Sequence, residues 1–211
     1  GIEDGFDRSI ALRHLPSELA ERSRRFSEDH IERATQALNV NKPQKAYNEY
    51  TKAIILNPYN AEAYLARGRI IQKLPEFTFF KAIVDFREAI RINNGCLEAC
   101  RELADILLEI GTDDPYRNRE YLNEARESLT QIINDKNLFK YPILENEIPE
   151  IYYQRGLTYM YLEEWDRSVT DFSNAIILHQ GVPPPDYFRY RLTAVTELIE
   201  SDFGKYKLGR V

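Results

Sequence analysis

Residues 149–178 read PEIYYQRGLTYMYLEEWDRSVTDFSNAIIL, and the fold of the whole chain can be worked out from this stretch. Apolar or small residues recur at three- and four-residue steps on both sides of a short turn, Leu162–Asp166. This spacing predicts two amphipathic helices joined as a hairpin. The recurring positions are Tyr152, Gly156, Tyr159, Val169, Phe172, Ala175 and Ile176. A hairpin this short cannot bury its apolar faces alone, so it needs neighbours of the same shape.

The chain supplies such neighbours. Residues 61–92 read AEAYLARGRIIQKLPEFTFFKAIVDFREAIRI, with small and aromatic residues at Tyr64, Gly68, Ala82, Phe86 and Ala89. Residues 27–60 carry Ala34, Ala37, Ala46, Tyr50 and Ala53, and Pro58 closes the second helix. A third and more altered copy, residues 97–148, is lengthened by a polar insert, Thr112–Tyr121, and by a further segment, Asp135–Ile148.

These landmarks resemble the tetratricopeptide repeat (TPR), a helix–turn–helix unit of about 34 residues. The resemblance implies an all-α fold, a right-handed α-solenoid of about four TPR helical hairpins plus a C-terminal capping helix. The expected repeats are 27–60, 61–96, 97–148 with insertions, and 149–182. We expect residues 1–26 to form a lead-in and possible capping helix, and residues 183–211 a capping helix and tail.

Local signals add finer expectations. Ser17 is a candidate helix N-cap, and residues 17–26 form either a separate capping helix or the start of the next helix. Gly111 is expected to end the first helix of the third repeat. The aromatic residues of the second-repeat turn are expected to pack over the hairpin end: Phe77, Phe79 and Phe80. A last helix is expected over Tyr187–Glu200, with Asp186 as its N-cap and a loosely held tail from Asp202.

Composition narrows the possible partners. The formal net charge is −6, which argues against a nucleic-acid binder. The sequence contains no apolar run long enough to span a membrane, and no signal peptide is recognisable. The two cysteines, Cys96 and Cys100, are expected to be small packing residues, and their scarcity favours a reducing compartment such as the cytoplasm. Because the chain begins Gly-Ile-Glu without an initiator Met, we expect a fragment of a longer protein or a mature form lacking its leader.

No arrangement of residues predicts an enzyme. The histidines His14, His30 and His179 are far apart and lack metal-ligand spacing. Asp113-Asp114 and Glu163-Glu164 lack the alternating oxygen ligands and central glycine of a calcium loop. We therefore expect no catalytic residue, cofactor or metal site.

In the TPR family, the first helix of each hairpin lines a concave groove. Carrying that pattern over predicts a partner-binding groove formed by Glu28, Ile31, Thr35, Leu65, Arg69, Arg101, Asp105, Tyr153, Leu157 and Met160. Four lining glutamates fall at the start of the expected first helices: Glu28, Glu62, Glu98 and Glu150. They either complement the helix dipole or form an acidic rim that prefers a basic or neutral peptide. The Tyr153, Leu157 and Met160 stripe is either an exposed protein-binding surface or is buried against the terminal helix around Tyr187 and Tyr190.

Chaperone-binding TPR domains hold the C-terminal carboxylate of their partner with a clamp of Lys, Asn, Asn, Lys and Arg. This chain has Ile31, Thr35 and Ala66 at three of those positions, and Glu98 and Glu102 at the other two. Two glutamates would repel a carboxylate. We therefore expect that the protein does not bind chaperone C-terminal tails.

The resulting prediction is a protein-interaction scaffold, a TPR module that binds a peptide or helix of a partner protein. The alternative is structural self-assembly within a multiprotein complex, which would expose apolar residues on the convex face or at an end, near Phe203 and Tyr206. The segments Thr112–Tyr121 and Asp135–Ile148 are a second candidate surface. Small-ligand sensing would require an enclosed pocket, which the sequence does not indicate.

Overall fold

The computed structural model describes residues 17–75, 78–136 and 146–208 of the chain, with side chains described as far as Asp202. Several expectations fall outside these residues. They concern the lead-in before Ser17, the aromatic residue Phe77, most of the segment Asp135–Ile148, and the side chains of Phe203 and Tyr206.

Nine helices make up the regular structure of the described residues, and no strand occurs among them. The helices are α1 Ser17–Asn39, α2 Pro43–Leu56, α3 Ala61–Ile71, α4 Phe79–Ile92, α5 Leu97–Asp113, α6 Arg119–Asn134, α7 Ile148–Tyr161, α8 Trp165–Leu178 and α9 Pro185–Leu208. The predicted fold class, an all-α helical-repeat solenoid, is confirmed. Among the helices described, none combines the length and apolar character that crossing a membrane requires.

The chain divides into two compact units, Gly1–Ala99 (unit 1) and Cys100–Val211 (unit 2). In unit 1, α1 packs on α2, α2 on α3, and α3 on α4. Small residues permit this close packing, since Ala34, Ala46 and Ala63 are fully buried in one apolar cluster. Each hairpin therefore buries its apolar face against its own second helix and against the next hairpin.

Unit 2 repeats this arrangement. Its helix α7 packs on both α6 and α8, and α8 packs on α9. Phe172 of α8 and Ala194 of α9 are fully buried. The last helix therefore covers the final hairpin, as a terminal helix does in a repeat stack.

A glycine sits at the crossing point of the two helices in one hairpin of each unit. A Cβ added to Gly68 would lie 2.6 Å from Cε1 of Phe86, and one added to Gly156 would lie 2.9 Å from the ring of Phe172. Both distances are too short for a real contact. The missing side chain lets an aromatic ring on the second helix pack against the backbone of the first.

The expectation that Gly111 ends a helix is wrong. Helix α5 continues through Gly111 to Asp113, and a Cβ there would lie 2.5 Å from Cδ2 of Leu122. This glycine is needed for the close approach of α6. The side-chain amide of Asn118 donates to the Ile110 carbonyl oxygen at 2.7 Å and so satisfies a carbonyl group near the helix end.

The expectation that the aromatic residues of the second-repeat turn pack over the hairpin end is also wrong for Phe79 and Phe80, the two that are described. Phe79 and Phe80 are 46% and 57% exposed. They form the first turn of α4, whose buried face is made by Ala82, Ile83 and Phe86. Helical periodicity therefore turns both rings toward solvent.

At the start of the described structure one of two open alternatives is realised, whereas the last helix differs from expectation. Residues 17–26 are the start of α1 and not a separate helix. Helix α9 begins at Pro185, so Asp186 lies in its first turn, and the helix continues past Glu200 to Leu208.

Candidate functional site

The predicted groove residues of unit 1 divide into packed apolar and exposed polar members. Leu65 is only 8% exposed, and Ile31 packs against the apolar cluster of this unit. Glu28, Thr35 and Arg69 are exposed, and the Thr35 hydroxyl donates to the Ile31 carbonyl oxygen at 3.0 Å. The most exposed members of this stripe are thus polar.

In unit 2, the predicted residues Arg101 and Asp105 belong to a polar network that joins α5 to α7. Arg101 donates from Nε to Glu147 at 3.0 Å and from Nη1 to the Gln154 amide oxygen at 2.8 Å, and it also pairs with Asp105. The Gln154 amide in turn donates to Asp105 at 3.0 Å. Burial acts to lower the pKa of Arg101, but the carboxylates outweigh it and the pKa rises. The network fixes the packing of two helices and holds Arg101 in a protonated state.

The predicted groove residue Tyr153 contacts the last helix, α9. The ring of Tyr153 stacks on Tyr187 with centroids 4.6 Å apart and meets Tyr190 at 6.0 Å. Burial raises the pKa of Tyr153 to about 12. Of the two alternatives left open by the sequence, the structure shows packing against the terminal helix.

The other two members of that stripe are also partly buried. Leu157 packs on an apolar cluster formed by Leu108, Leu122 and Leu162. Met160 retains partial exposure. These positions contribute more to the interior of unit 2 than to an open surface.

The four glutamates do not share one role. Glu28 lies in the middle of α1, because that helix begins at Ser17, so the helix-dipole explanation fails there. Glu62, Glu98 and Glu150 do lie in the first turns of α3, α5 and α7. Glu150 additionally accepts a hydrogen bond from the Tyr187 hydroxyl at 2.8 Å, which ties the start of α7 to α9.

The sequence analysis missed a buried ion pair in unit 1. The guanidinium of Arg67 on α3 donates to both carboxylate oxygens of Asp85 on α4, from Nε and Nη2, each at 2.7 Å. The Asp85 side chain is only 3% exposed. Arg67 also donates to the Thr51 hydroxyl oxygen at 3.3 Å and lies 5.9 and 5.7 Å from the ring centroids of Tyr47 and Tyr64. Three consecutive helices therefore meet at one guanidinium.

Unit 2 contains the same arrangement. Arg155 on α7 donates to both carboxylate oxygens of Asp171 on α8, at 2.6 and 2.9 Å, and to the Thr130 hydroxyl oxygen of α6 at 3.2 Å. Its guanidinium lies over the rings of Tyr152 and Tyr159. In both units burial acts to lower the pKa of the arginine, and the paired aspartate reverses the effect, so that the pKa rises.

The first hairpin has a different version of this pair. At the position of the buried aspartates, α2 carries Glu49, which meets Nδ1 of His30 at 2.6 Å and accepts from Lys52 at 2.7 Å. The hydrogen bonds of Lys52 and His30 lower the pKa of Glu49, although burial opposes them. His30 is thus a pairing partner within the first hairpin, at the place where the second and fourth hairpins have Tyr64 and Tyr152.

A cleft of about 320 Å³ opens beside the Arg67–Asp85 pair. Its walls are Tyr47, Arg67, Ile71, Phe80, Lys81, Val84 and Asp85, all in unit 1. Phe80 and Val84 are each 57% exposed, whereas Ile71 is buried, at 3% exposure, and forms the inner wall of the cleft. We call this site, defined by those seven residues, the unit 1 cleft.

Unit 2 carries different residues at the corresponding positions. The matching threonines and ion pairs set the correspondence: Thr51 with Thr130, Arg67 with Arg155, and Asp85 with Asp171. By that register, the cleft residues Tyr47, Ile71, Phe80 and Val84 correspond to Arg126, Tyr159, Asp166 and Thr170. Arg126 is engaged by Glu164 at 2.8 Å, and Asp166 and Thr170 are exposed polar residues. The same buried framework therefore carries an apolar surface in unit 1 and a polar one in unit 2.

The part of the chain that the structure describes contains no group of three or more His, Cys, Asp or Glu side chains placed to hold a metal ion. Both cysteines are buried, and burial raises the pKa of the Cys96 thiol. The unit 1 cleft combines exposed apolar side chains with a buried ion pair, a lining that can engage another molecule.

No protein-family model and no curated protein matches this sequence. Solved structures do match. MamA from Desulfovibrio magneticus RS-1, residues 41 to the end, has a TM-score of 0.56 at 14% identity, over 82% of this chain and 92% of that chain. Another MamA crystal structure has a TM-score of 0.57 at 16% identity, over 86% of this chain and 94% of that one.

These neighbours are TPR proteins, and the resemblance to TPR proteins inferred from the sequence is confirmed. The chain has the TPR fold. At these levels of identity the likeness establishes the fold alone, so the function is argued from the site.

Proposed function

We propose that this protein is an interaction scaffold, a TPR module that binds a peptide or helix of a partner protein, and that the unit 1 cleft is the binding site. The observation that carries the proposal is the exposure of Phe80 and Val84 around an open cleft. Aromatic residues and arginine are enriched at protein interfaces, and neighbouring exposed apolar side chains mark interaction sites.

The lining also indicates the chemistry of the partner. The cleft walls carry two cations, Arg67 and Lys81, against one carboxylate, Asp85. A segment with a large apolar side chain beside an acidic residue would complement them. The apolar side chain enters the cleft, and the acidic residue lies on the cationic side of the rim.

The comparison between units supports this assignment. An ion pair used only for stability needs no apolar surface beside it, and the pair in unit 2 has polar residues there. Phe80 and Val84 of unit 1 expose apolar area to water, which is unfavourable in the absence of a partner. Binding a partner would remove that area from water.

The experiment is a selection of phage-displayed peptides on the purified chain, followed by fluorescence anisotropy with the enriched peptide. We expect a consensus with an apolar residue next to Asp or Glu. The variant Phe80→Asp/Val84→Thr installs the residues of unit 2 in the cleft and should weaken binding by about tenfold or more. The matched control, Asp166→Asn/Thr170→Ser, changes the corresponding surface of unit 2 while keeping it polar, and should leave the affinity unchanged.

The predicted groove is the competing surface for the same function, and Arg69→Glu tests it. Binding lost in Arg69→Glu but kept in Phe80→Asp/Val84→Thr would move the site to the groove. If no peptide is enriched, or if neither variant affects the selected peptide, the peptide-binding proposal is wrong.

A further inference from the structure

The last helix presents an unusual outer face. One side of α9 is used within unit 2, where Tyr187 and Ala194 are buried. A second, exposed stripe runs along another side: Phe188 is 50% exposed, Leu192 67% and Ile199 50%, and Val195 is partly exposed. We call these four residues the α9 seam.

The spacing of the α9 seam is that of a helix–helix contact. Its members follow one another at intervals of four, three and four residues, the alternation that places apolar side chains along one face in a coiled coil. A helix that only covers the end of a repeat stack requires a polar outer face. The α9 seam departs from that requirement over three turns.

The charges beside the α9 seam favour one partner above others. Arg189 directly follows the first seam residue, Phe188, and Glu200 directly follows the last, Ile199. Both lie on the same flank, because the interval between them is close to a whole number of helical turns. A second copy of α9 running antiparallel would bring Phe188 opposite Ile199 and Leu192 opposite Val195. It would also bring Arg189 of one copy beside Glu200 of the other. Each of these contacts occurs twice, because the two copies are related by a two-fold axis.

We propose that the α9 seam is a self-association surface, through which two copies of this chain pair with their last helices antiparallel. Arg189 of each copy binds Glu200 of the other. Within one chain Arg189 pairs with Asp186 at 2.9 Å, but the two side chains are 65% and 57% exposed, so this pair is easily exchanged. The seam is short, so a weak, concentration-dependent dimer is expected.

Sedimentation equilibrium of the full chain tests the proposal. We expect the average mass to rise toward that of a dimer as the concentration increases to several hundred micromolar, which corresponds to a dissociation constant of about 10⁻⁵ to 10⁻⁴ M. Leu192→Glu should leave a monomer with an unchanged circular dichroism spectrum. The matched control, Ile177→Glu, alters a side chain that is 76% exposed on α8, outside the seam, and should leave the dimer intact.

Charge reversal tests the antiparallel arrangement. Arg189→Glu and Glu200→Arg should each weaken the dimer about tenfold, because each creates two like-charge contacts. The double variant should recover the affinity to within about threefold. A monomer at every concentration, association that survives Leu192→Glu, or a double variant without recovery would each overturn the proposal. Peptide binding in the unit 1 cleft should be unchanged in Leu192→Glu, so the two proposals fail separately.

Discussion

The buried ion pairs of the two units are nearly identical, whereas the surfaces beside them are not. In each unit an arginine binds an aspartate through two hydrogen bonds and reaches back to a threonine on the preceding helix. Beside the pair, unit 1 has Phe80 and Val84 where unit 2 has Asp166 and Thr170. The pair is thus a structural element common to both hairpins, and the surrounding residues make the surface beside it apolar in unit 1 and polar in unit 2.

The largest effect should follow from removing the carboxylate. Asp171→Ala leaves the guanidinium of Arg155, 13% exposed, without its counter-charge, and should lower the free energy of unfolding by about 3–5 kcal/mol. Asp85→Ala should lower it by a similar amount, because the Arg67 side chain is only 17% exposed and likewise loses its counter-charge. Urea unfolding followed by far-ultraviolet circular dichroism measures both.

The control for this pair of variants is an exposed ion pair. Glu88→Ala removes the partner of Arg91, whose side chain is 61% exposed, and should change stability by less than about 0.5 kcal/mol. A much smaller loss for Asp85→Ala than for Asp171→Ala would mean that water in the unit 1 cleft hydrates the isolated Arg67, and the two units would then differ in their buried ion pairs as well as at the surface.

The fold was predictable because its signals are local and repeated. Periodicity and small residues such as Gly68 and Gly156 indicated hairpins, and their recurrence indicated the stack. The ion pairs were missed because a carboxylate on a helix is usually solvated. A usable signal was present: an Arg three residues after a Tyr, and an Asp directly before a Phe, occur in both 61–92 and 149–178.

Other parts of the candidate site could not be read from the sequence, for physical reasons. Periodicity gives the face of a helix on which Tyr153 lies but not what packs there, and α9 supplies Tyr187 as its neighbour. The exposure of Phe80 depends on where α4 begins, because a shift of one residue rotates a side chain by about 100°. The unit 1 cleft joins three helices, so no single stretch of sequence predicts it.

An intermediate effect is expected in the first hairpin, where Glu49 replaces the aspartate. Its folded-state pKa is lowered from 4.5 by hydrogen bonds from Lys52 and His30. The ionised carboxylate therefore adds stability above a pH of about 4.5, and this contribution is lost as the pH falls through the folded-state pKa. Glu49→Gln should be about 1–2 kcal/mol less stable at neutral pH and should lose less on acidification.

Unfolding free energies measured between neutral and acidic pH check this, and the curves of the wild type and Glu49→Gln should converge at the acidic end. Glu28→Gln, at an exposed site of α1, is the control and should follow the wild type throughout. If the two curves run parallel, ionisation of Glu49 does not stabilise the first hairpin, and Glu49 is then not a counterpart of the paired aspartates Asp85 and Asp171.

The smallest effect concerns the threonines that extend each ion pair to the preceding helix. Thr51→Val and Thr130→Val keep the side-chain shape and remove an acceptor for Arg67 and Arg155, so each should cost about 0.5–1 kcal/mol. Thr51 also donates to the Tyr47 carbonyl oxygen at 2.9 Å, which makes its loss the larger of the two. If the threonine acts through the arginine, the Thr130→Val penalty should disappear in an Arg155→Met background, whereas part of the Thr51→Val penalty should persist in Arg67→Met. A penalty that is unchanged in both backgrounds would mean that the threonines stabilise their own helices and that each arginine joins two helices, not three.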